Sequence, residues 1–249
     1  MATIDRQIFY DAVRAKPFNG KLTQGQVNGM DAILDVYEED YNLWDLRWLA
    51  YALATTAHET GFEMQPISEY GKGQGMEYGK PDPKTGEIYY GRGYVQLTWN
   101  TNYQRADSEL NLAGERSCYL HADNALEPMI AAEVMFQGMA AGWFRSNSGG
   151  QPQTLATYFN DTRDDPYGAR EIINGDKHIV PSWSNGVSIG NLIKNYHMSF
   201  LAALTSAYVE EPYPPVPEPA PSEHIAIAIV TSPGVTVTVM INDEEVYSS

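Results

Sequence analysis

The sequence predicts a mainly α-helical domain that is followed by a proline-rich linker and a C-terminal β-hairpin. Apolar residues recur at helical spacing at several places before residue 209. Residues 210–222 are rich in proline, which favours a stiff and extended chain. After them, two β-branched runs flank a Ser-Pro-Gly sequence that suits a tight turn. The predicted domains are therefore 1–209, 210–222 and 223–249.

The first predicted helices of the large domain begin at recognisable caps. Thr23 and Gln26 fit a capping box, and apolar residues then repeat at helical spacing. A second helix is predicted over about residues 45–60, with apolar residues along one face. The residues from 61 to 100 are rich in glycine, tyrosine and proline, so a turn-dense loop is predicted there.

Three further helices are predicted after this loop. Asp123 or Asn124 is the predicted cap of a long helix that runs to about residue 144, with Pro128 tolerated in its first turn. Asp165-Pro166 and Asn174-Gly175 resemble the start and the end of another helix. Ser188 begins a last helix that extends to about residue 209.

The C-terminal tail is predicted to form a hairpin from residues 225–230 and 235–241. Each run is too short to span a bilayer as a helix, and Pro233-Gly234 interrupts the pair, so no stable membrane insertion is predicted. A lone hairpin is only marginally stable in water. The tail is therefore expected to pair with the main domain, with a second copy, or with a partner such as a virion component.

Bulk composition excludes several classes of protein. The hydrophobic content of 43% permits a sizeable core. The net charge of −16 repels phosphate backbones, so no nucleic-acid partner is predicted. One cysteine is too few for a disulfide scaffold. No basic segment with an apolar run follows Met1, so a secretory signal peptide is not predicted.

Two glutamates near aromatic and amide residues are the candidate catalytic groups. Cleavage of a sugar–sugar bond needs one acid that protonates the departing oxygen and one base that activates water. Glu59 is near the C-terminal end of the second helix, where free carbonyls disfavour a charged carboxylate and so suit a general acid. A surface glutamate at a helix end is the alternative interpretation. Glu69 follows across a loop, and Glu63, Glu77 and Glu87 are alternatives for the second carboxylate.

A polar run follows a glycine-flanked arginine. Gln96, Thr98, Asn100 and Asn102 alternate, which places all four on one face if the segment is extended. An ordinary polar strand face would show the same pattern. Gly91-Arg92-Gly93 predicts a tight turn, in which Arg92 is structural or pairs with a carboxylate.

Metal and thiol chemistry are poorly supported. His58-Glu59 begins a zinc-protease pattern, but the second metal ligand would be at position 62, which is Phe62. Cys118 with His121 offers a weak cysteine-peptidase alternative. The sequence therefore predicts no metal and no cofactor.

Four segments together resemble glycoside hydrolase family 19, which contains plant-type chitinases and many bacteriophage endolysins. They span about residues 45–200 in the family's order. The segments are His58-Glu59-Thr60-Gly61, Tyr90-Gly91-Arg92-Gly93, Val95-Gln96-Leu97-Thr98-Trp99 with Asn102-Tyr103, and Ala169-Arg170-Glu171-Ile172-Ile173-Asn174-Gly175.

The resemblance implies a lysozyme-like, mainly α-helical fold with a deep substrate cleft, a small β element, and an inverting two-carboxylate mechanism. Glu59 matches the general acid, Thr98 matches the hydroxyl residue that holds the attacking water, and Glu69 matches the second carboxylate of phage-type members. Plant chitinases place that carboxylate in a cysteine-containing loop, which this chain lacks. Substrate contacts are predicted for Tyr90, Gln96, Asn102, Tyr103, Arg170 and Asn174, of which Asn102 and Asn174 match substrate-side amides of the family.

The motifs do not choose between peptidoglycan and chitin, because both contain β-1,4-linked N-acetylated sugars. The absence of a signal peptide and of disulfides, together with a phage-like segment at residues 65–70, favours a muramidase-like endolysin. Such a protein is made in the cytoplasm of a bacterial host and reaches the cell wall through a holin or with the virion. A chitinase is the alternative, as is a non-catalytic glycan-binding or virion structural protein.

Overall fold

The computed structural model describes residues 2–40, 45–210, 238–241 and 244–248. The chain divides into two compact units, Met1–Glu211 and Pro212–Ser249. Helices dominate the described part of the first unit. They are α1 Arg6–Ala15, α2 Gln24–Asp40, α3 Leu46–Glu59, α4 Asn100–Glu109, α5 Pro128–Ala141, α6 Leu155–Tyr158 and α7 Ile189–Ala207.

The strands of the first unit are short and pair in twos. In chain order they are β1 Ala2–Ile4, β2 Ile67–Ser68, β3 Arg92–Gly93, β4 Phe159–Asn160, β5 Arg163–Asp164 and β6 Tyr208–Glu210. Strand β1 pairs with β6, β2 with β3, and β4 with β5, all antiparallel. The pair β2–β3 fixes the segment after α3 against the glycine-flanked Arg92, which positions the candidate second carboxylate.

Helix α3 is the centre of the main core. Every residue from Leu49 to Ala57 is buried, and the helix packs against α7 on one side. Helix α1 also packs on α7, and α2 packs on α5. Four alanines in α3 have small side chains, which allow this close approach. A helix that is apolar on all sides is normally enclosed by protein, as α3 is here.

A second, smaller core supports the segment around β3 and α4. Tyr89, Leu97 and Tyr103 are buried in it together with Cys118 and Trp143. This cluster anchors both ends of the polar run that the sequence analysis singled out.

Local capping predictions agree with the structure where the partners are close in sequence. Thr23 Oγ1 accepts a hydrogen bond from Gln26 N–H at 3.2 Å, and Gln26 Oε1 accepts one from Thr23 N–H at 2.8 Å. The helix predicted over 45–60 is α3, which is capped by Asp45. The last helix begins after Ser188, but it ends at Ala207 because the chain then becomes β6.

The long helix that was predicted from residue 123 begins later. A 3-10 helix occupies Ala122–Leu126, and α5 starts at Pro128. The amide of Asn124 donates to the carbonyls of Glu115 and Ser117, so it holds a loop and does not cap the helix. Gly142 takes a left-handed conformation and ends α5.

The segment predicted as a helix after Asp165 is a short 3-10 helix, Gly168–Ile172. Asp165 Oδ1 accepts from Gly168 N–H at 2.7 Å, as a cap would. The remaining 3-10 helices of the described chain are Glu77–Gly79 and Gly114–Arg116.

The second unit contains a described antiparallel hairpin, β7 Thr238–Ile241 with β8 Glu244–Ser248. The sequence pattern predicts that 235–241 pairs with 225–230 instead. Residues 225–230 lie outside the described residues, as do the linker and the predicted turn. The run from 244 to 248 contains two glutamates and was not predicted as a strand. Among the described residues, no helix has both the length and the apolar character that crossing a bilayer requires.

Candidate active site

Glu59 is the last residue of α3. The chain turns at Gly61, whose φ of +57° is the left-handed conformation that commonly ends a helix. Phe62 N–H then donates to the carbonyl of Ala57 at 2.8 Å and closes the helix end. The side chain of Glu59 is 17% exposed, although the helix before it is buried. Helix α3 therefore carries a carboxylate from the core to the surface at a fixed point.

Arg170 is the partner of Glu59. Its Nη1 donates to Glu59 Oε1. Its Nε and Nη2 donate to the two carboxylate oxygens of Asp176, at 2.6 and 3.0 Å. The side chain of Arg170 is only 3% exposed. One buried guanidinium thus joins two carboxylates. Two of its nitrogens donate to Asp176, and one donates to Glu59.

The charges of this cluster are strongly coupled. Burial lowers the pKa of Arg170, but the hydrogen bonds and charges of Asp176 and Glu59 outweigh it, so that its pKa lies above the ordinary value. Burial raises the pKa of Asp176, but the hydrogen bonds from Arg170 outweigh it and hold that pKa below its usual range. The Arg170–Asp176 pair is therefore fully charged near neutral pH, whatever the protonation state of Glu59.

Asn174 and Gly175 complete this side of the site. Asn174 is exposed, and its Nδ2 donates to Asp176 Oδ2 at 3.1 Å. A Cβ on Gly175 would lie 2.6 Å from Nη1 of Arg145, so a larger residue here would require the end of that arginine side chain to move. The structure thus brings Glu59, Arg170 and Asn174 into one hydrogen-bonded cluster through Asp176, a residue that the sequence analysis missed.

His58 lies beside this cluster. Burial lowers its pKa, which keeps the imidazole neutral near pH 7. Among the residues that the structure describes, no group of three or more histidine, cysteine, aspartate or glutamate side chains is arranged to hold a metal ion.

Glu69 follows β2 directly and is held from two sides. Its backbone N–H donates to the carbonyl of Gly91 at 2.7 Å, and its Oε2 accepts from Gly91 N–H at 3.2 Å. Its Oε1 accepts from the hydroxyl of Tyr78 at 3.1 Å. By contrast, the competing Glu77 is an exposed side chain that pairs with Lys80 at 2.8 Å. Glu69 is the better oriented carboxylate of these two.

The polar run after β3 is not extended throughout. Gln96 and Trp99 have φ values of 56° and 75°, so the chain turns twice, and α4 begins at Asn100. Asn100 and Asn102 therefore lie in the first turn of a helix, and the predicted single extended face is wrong. Non-glycine residues with positive φ are uncommon, which is why the alternating pattern suggested a strand.

Three of the predicted site residues nevertheless form one chain of hydrogen bonds. The Gln96 amide donates to the carbonyls of Ile67 and Gly93, at 3.1 and 3.2 Å. Thr98 Oγ1 donates to the carbonyl of Gln96 at 2.7 Å. Asn102 Nδ2 donates to the carbonyl of Thr98 at 2.8 Å. Gln96 thus supports the β2–β3 pair next to Glu69, and the oxygen of Thr98 can still accept a hydrogen bond.

Tyr103 and Tyr90 support the segment around Arg92. Tyr103 is completely buried, and its hydroxyl donates to the Tyr90 carbonyl at 2.8 Å and accepts from Arg92 Nη1 at 3.1 Å. The guanidinium of Arg92 lies 3.6 Å from the centre of the Tyr90 ring, and its Nε pairs with Asp123 at 2.9 Å. The predicted substrate contact of Tyr103 is therefore corrected, because its side chain is completely buried. Arg92 pairs with a carboxylate, as predicted.

Arg170 needs the same correction as Tyr103. Its three guanidinium nitrogens donate to Glu59 and Asp176, and burial leaves almost none of it for a substrate. Its contact with Glu59 holds that carboxylate in place at the end of α3.

The thiol alternative is contradicted by burial. Cys118 is fully buried, and burial raises the pKa of its thiol to about 12. The thiol therefore stays protonated and enclosed, which is unlike a catalytic nucleophile.

Comparison with known proteins gives the fold. No family's sequence model matches the chain, and no curated protein sequence matches it. Among solved structures, chitinase C from Streptomyces griseus HUT6037 matches with a TM-score of 0.54 and 18% identity, over 81% of this chain and 76% of that one. The mainly α-helical fold expected from the resemblance to family 19 is thereby confirmed.

Two further chitinase structures are similar at lower scores. A bacterial family 19 chitinase matches with a TM-score of 0.49 and 20% identity, over 81% of this chain and 94% of that one. A class IV family 19 chitinase from Zea mays matches with a TM-score of 0.43 and 17% identity, over 80% and 94%.

Proposed function

We propose that this protein is a glycoside hydrolase that cleaves β-1,4 bonds between N-acetylated sugars, with Glu59 as the general acid and Glu69 as the general base. The cluster of Glu59, Arg170 and Asp176 carries the proposal. When Glu59 binds a proton, Arg170 remains paired with Asp176, so no buried cation is left without a partner. Glu59 can therefore take up and release a proton without disrupting the buried pair.

The proposed reaction is a single displacement. Glu59 gives its proton to the departing glycosidic oxygen while the bond from that oxygen to the anomeric carbon breaks. Glu69 takes a proton from a water molecule whose oxygen bonds to the same carbon from the opposite face. The configuration at that carbon is inverted, and no covalent intermediate forms. For this mechanism we expect the two carboxyl groups to lie about 6.5–9.5 Å apart across a cleft.

The side of the site around Glu69 suits the activation of water. Each carboxylate oxygen of Glu69 accepts one hydrogen bond from the protein, from Tyr78 or from Gly91, which fixes its orientation. Each oxygen keeps a further lone pair that can accept from water. The hydroxyl of Thr98 donates to a carbonyl, so its oxygen can accept a hydrogen bond from the second O–H of that water, which keeps this proton.

Peptidoglycan is the substrate that we propose first. The segment at residues 65–70 resembles phage-type members of family 19, and a single cysteine suits a protein made in a bacterial cytoplasm. On this proposal the protein is an endolysin that acts on the cell wall, released by a holin or carried by the virion.

Chitin is the second candidate substrate. The solved structures that this chain resembles are named as chitinases, and chitin contains the same linkage between N-acetylated sugars. A protein that binds such glycans without cleaving them is the remaining alternative.

The decisive experiment treats purified peptidoglycan and chitin oligomers with the wild-type protein, and identifies the products by mass spectrometry and NMR. We expect new reducing ends that are initially in the α-anomeric form. Glu59→Gln should abolish them while leaving the fold intact, and Glu63→Gln, which changes an exposed glutamate just beyond α3, should not.

Each contrary result has a distinct meaning. Release of stem peptides without new reducing ends would indicate an amidase or a peptidase. If the wild-type protein bound the glycan but did not cleave it, the non-catalytic alternative would be favoured. Near wild-type cleavage by Glu59→Gln would show that Glu59 is not the general acid.

A further inference from the structure

A pocket of about 350 Å³ lies beside the candidate base. This volume is within the range of about 300–1,000 Å³ that is typical of small-molecule sites. Aromatic rings, amides and carboxylates line it. Its lining includes Glu77, Tyr78, Asp82, Trp99 and Asn100.

Trp99 is held in the pocket at a conformational cost. Its φ of 75° is unusual for a bulky residue. Its backbone N–H donates to the carbonyl of Tyr89 at 2.9 Å, and its ring meets the ring of Tyr78 edge to face at 5.2 Å. Even so, 48% of Trp99 is exposed. Strained residues of this kind cluster at ligand sites, and here the strain presents an indole ring to solvent.

Polar groups of the same pocket are fixed by its own hydrogen bonds. Asn100 Nδ2 donates to Asp82 Oδ2 at 2.9 Å, and the backbone N–H of Lys84 donates to Asp82 Oδ1 at 2.8 Å. The hydrogen bond from Asn100 lowers the pKa of Asp82, so this carboxylate is charged near neutral pH. Asn100 keeps its amide oxygen and a second N–H for a ligand.

The charge of the pocket selects against anions. Its lining includes the carboxylates of Glu77 and Asp82. Among the described residues that line it, the one cationic side chain is Lys80, which is paired with Glu77 at 2.8 Å. An exposed aromatic face with fixed hydroxyl-reading groups, and without a free cation, suits a neutral and hydroxyl-rich ring.

Tyr78 joins this pocket to the candidate base. Its ring contacts Trp99, and its hydroxyl donates to Glu69 Oε1 at 3.1 Å. A ligand that packs against Trp99 therefore lies one side chain away from the carboxylate that would activate water.

We infer that this pocket binds one N-acetylglucosamine ring of the glycan and that Tyr78 is a positioning residue, which orients Glu69 when the ring is bound. The inference rests on the proposed function. It deepens that function by assigning a binding subsite and its sugar: both peptidoglycan and chitin contain N-acetylglucosamine, whereas the muramic sugar of peptidoglycan bears the stem peptide.

The binding part of the inference is tested in the Glu59→Gln background, which removes hydrolysis. A β-1,4-linked hexamer of N-acetylglucosamine is titrated by calorimetry. Adding Trp99→Ala should weaken its binding about tenfold or more, because an aromatic face is lost. Trp183→Ala is the matched control. Trp183 is 65% exposed and does not line the pocket, so affinity should change by less than about twofold.

The positioning part is tested with Tyr78→Phe in the otherwise wild-type protein. This change keeps the ring but removes the hydroxyl that donates to Glu69. We expect kcat to fall about tenfold with KM unchanged, whereas Trp99→Ala should raise KM. Circular dichroism and thermal unfolding confirm that each variant is folded.

Two results would overturn the inference. One is that adding Trp99→Ala to the Glu59→Gln protein does not weaken binding of the hexamer, which includes the case in which the hexamer binds neither protein. The other is that Tyr78→Phe leaves kcat unchanged. The proposed function fails separately if the wild-type protein cleaves neither glycan. In that case, weakened binding by Trp99→Ala would still support the subsite.

Discussion

Asp176 binds Arg170 through both carboxylate oxygens, at 2.6 and 3.0 Å, and so balances the charge of a buried cation that also pairs with Glu59. This relationship affects the balance of charges around Glu59. The C-terminal end of α3 disfavours a charged carboxylate, whereas a nearby guanidinium favours one. Asp176 pairs with the guanidinium through two hydrogen bonds, so that the charge of Arg170 is not balanced by Glu59 alone.

Asp176→Asn should therefore impair catalysis without touching Glu59 itself. The charge of Arg170 would then be compensated only by Glu59, whose protonated form would be disfavoured. We expect kcat for glycan hydrolysis to fall about 10- to 100-fold, since general acid catalysis contributes at least that much. Steady-state rates on a soluble glycan measure this effect.

The control for Asp176→Asn is Asp161→Asn, which removes one charge from an exposed turn between β4 and β5. Its kcat should stay within about twofold of wild type, as is usual for a surface change away from the site. A wild-type kcat for Asp176→Asn would contradict the compensating role of Asp176.

Gly91→Ala should disturb the base side of the site. A Cβ at this position would lie 2.9 Å from Oε1 and 3.2 Å from Cβ of Gln96, whose amide braces the β2–β3 pair. We expect the free energy of unfolding to fall by about 1–3 kcal/mol and the hydrolysis rate to fall with it. Urea unfolding and rate assays measure both quantities.

Gly71→Ala is the matched control in the same region, because nothing lies within 4 Å of a Cβ placed there. It should leave stability and rate nearly unchanged. If both glycine variants behaved alike, the packing of Gln96 on Gly91 would not be what fixes this segment.

Stability should decrease below neutral pH because of His197. Burial, with a smaller effect from Arg47, lowers the pKa of His197 to about 4 in the folded protein. In the unfolded chain the pKa is about 6.5, so between these values only the unfolded state binds the proton. The free energy of unfolding therefore falls as the pH falls through this range, by up to about 3 kcal/mol.

His197→Phe tests this origin of the pH dependence. The ring of His197 stacks on Phe159 at 5.3 Å, and Asp45 and Arg47 are the charged groups that act on it. Phenylalanine keeps the ring but cannot bind a proton. Urea unfolding at pH of about 7 and about 4.5 should show a smaller loss of stability for the variant. Equal losses in the two proteins would assign the effect to other groups, such as His58.

Local chemistry explains which features the sequence could predict. The Thr23–Gln26 capping box involves residues three positions apart, and the structure reproduces it. The end of α3 likewise follows from Gly61, two residues after Glu59. Predictions of this kind need no knowledge of the tertiary fold.

Features set by tertiary contacts could not be predicted. Asp176 carries no signal of its own except that it follows Asn174 by two residues, and Arg170 is 111 residues from Glu59. Trp99 adopts a left-handed conformation only because its surroundings hold it there. An alternating polar pattern therefore predicted a strand where the chain turns into a helix.

The C-terminal part of the chain gives the last prediction, on where the first unit must end. Strand β6 pairs with β1 through Ala2–Glu210, Thr3–Val209 and Ile4–Tyr208, and Asp5 N–H donates to the Ala207 carbonyl at 2.8 Å. A chain that stops at Glu211 keeps this pairing, whereas one that stops at Ala207 loses it. We expect the shorter chain to be less stable by about 1–3 kcal/mol, as the loss of a few backbone hydrogen bonds implies.

The chain that ends at Glu211 also separates catalysis from assembly. A protein ending at Glu211 contains every residue that we place in the site, so it should hydrolyse soluble glycan at the wild-type rate. If residues 223–249 mediate self-association, the truncated protein should form assemblies of fewer copies than the full chain. Light scattering measures the mass of each assembly in solution. Equal assembly states would leave attachment to a different partner as the role of the tail, and a loss of hydrolysis would mean that the second unit contributes to the site.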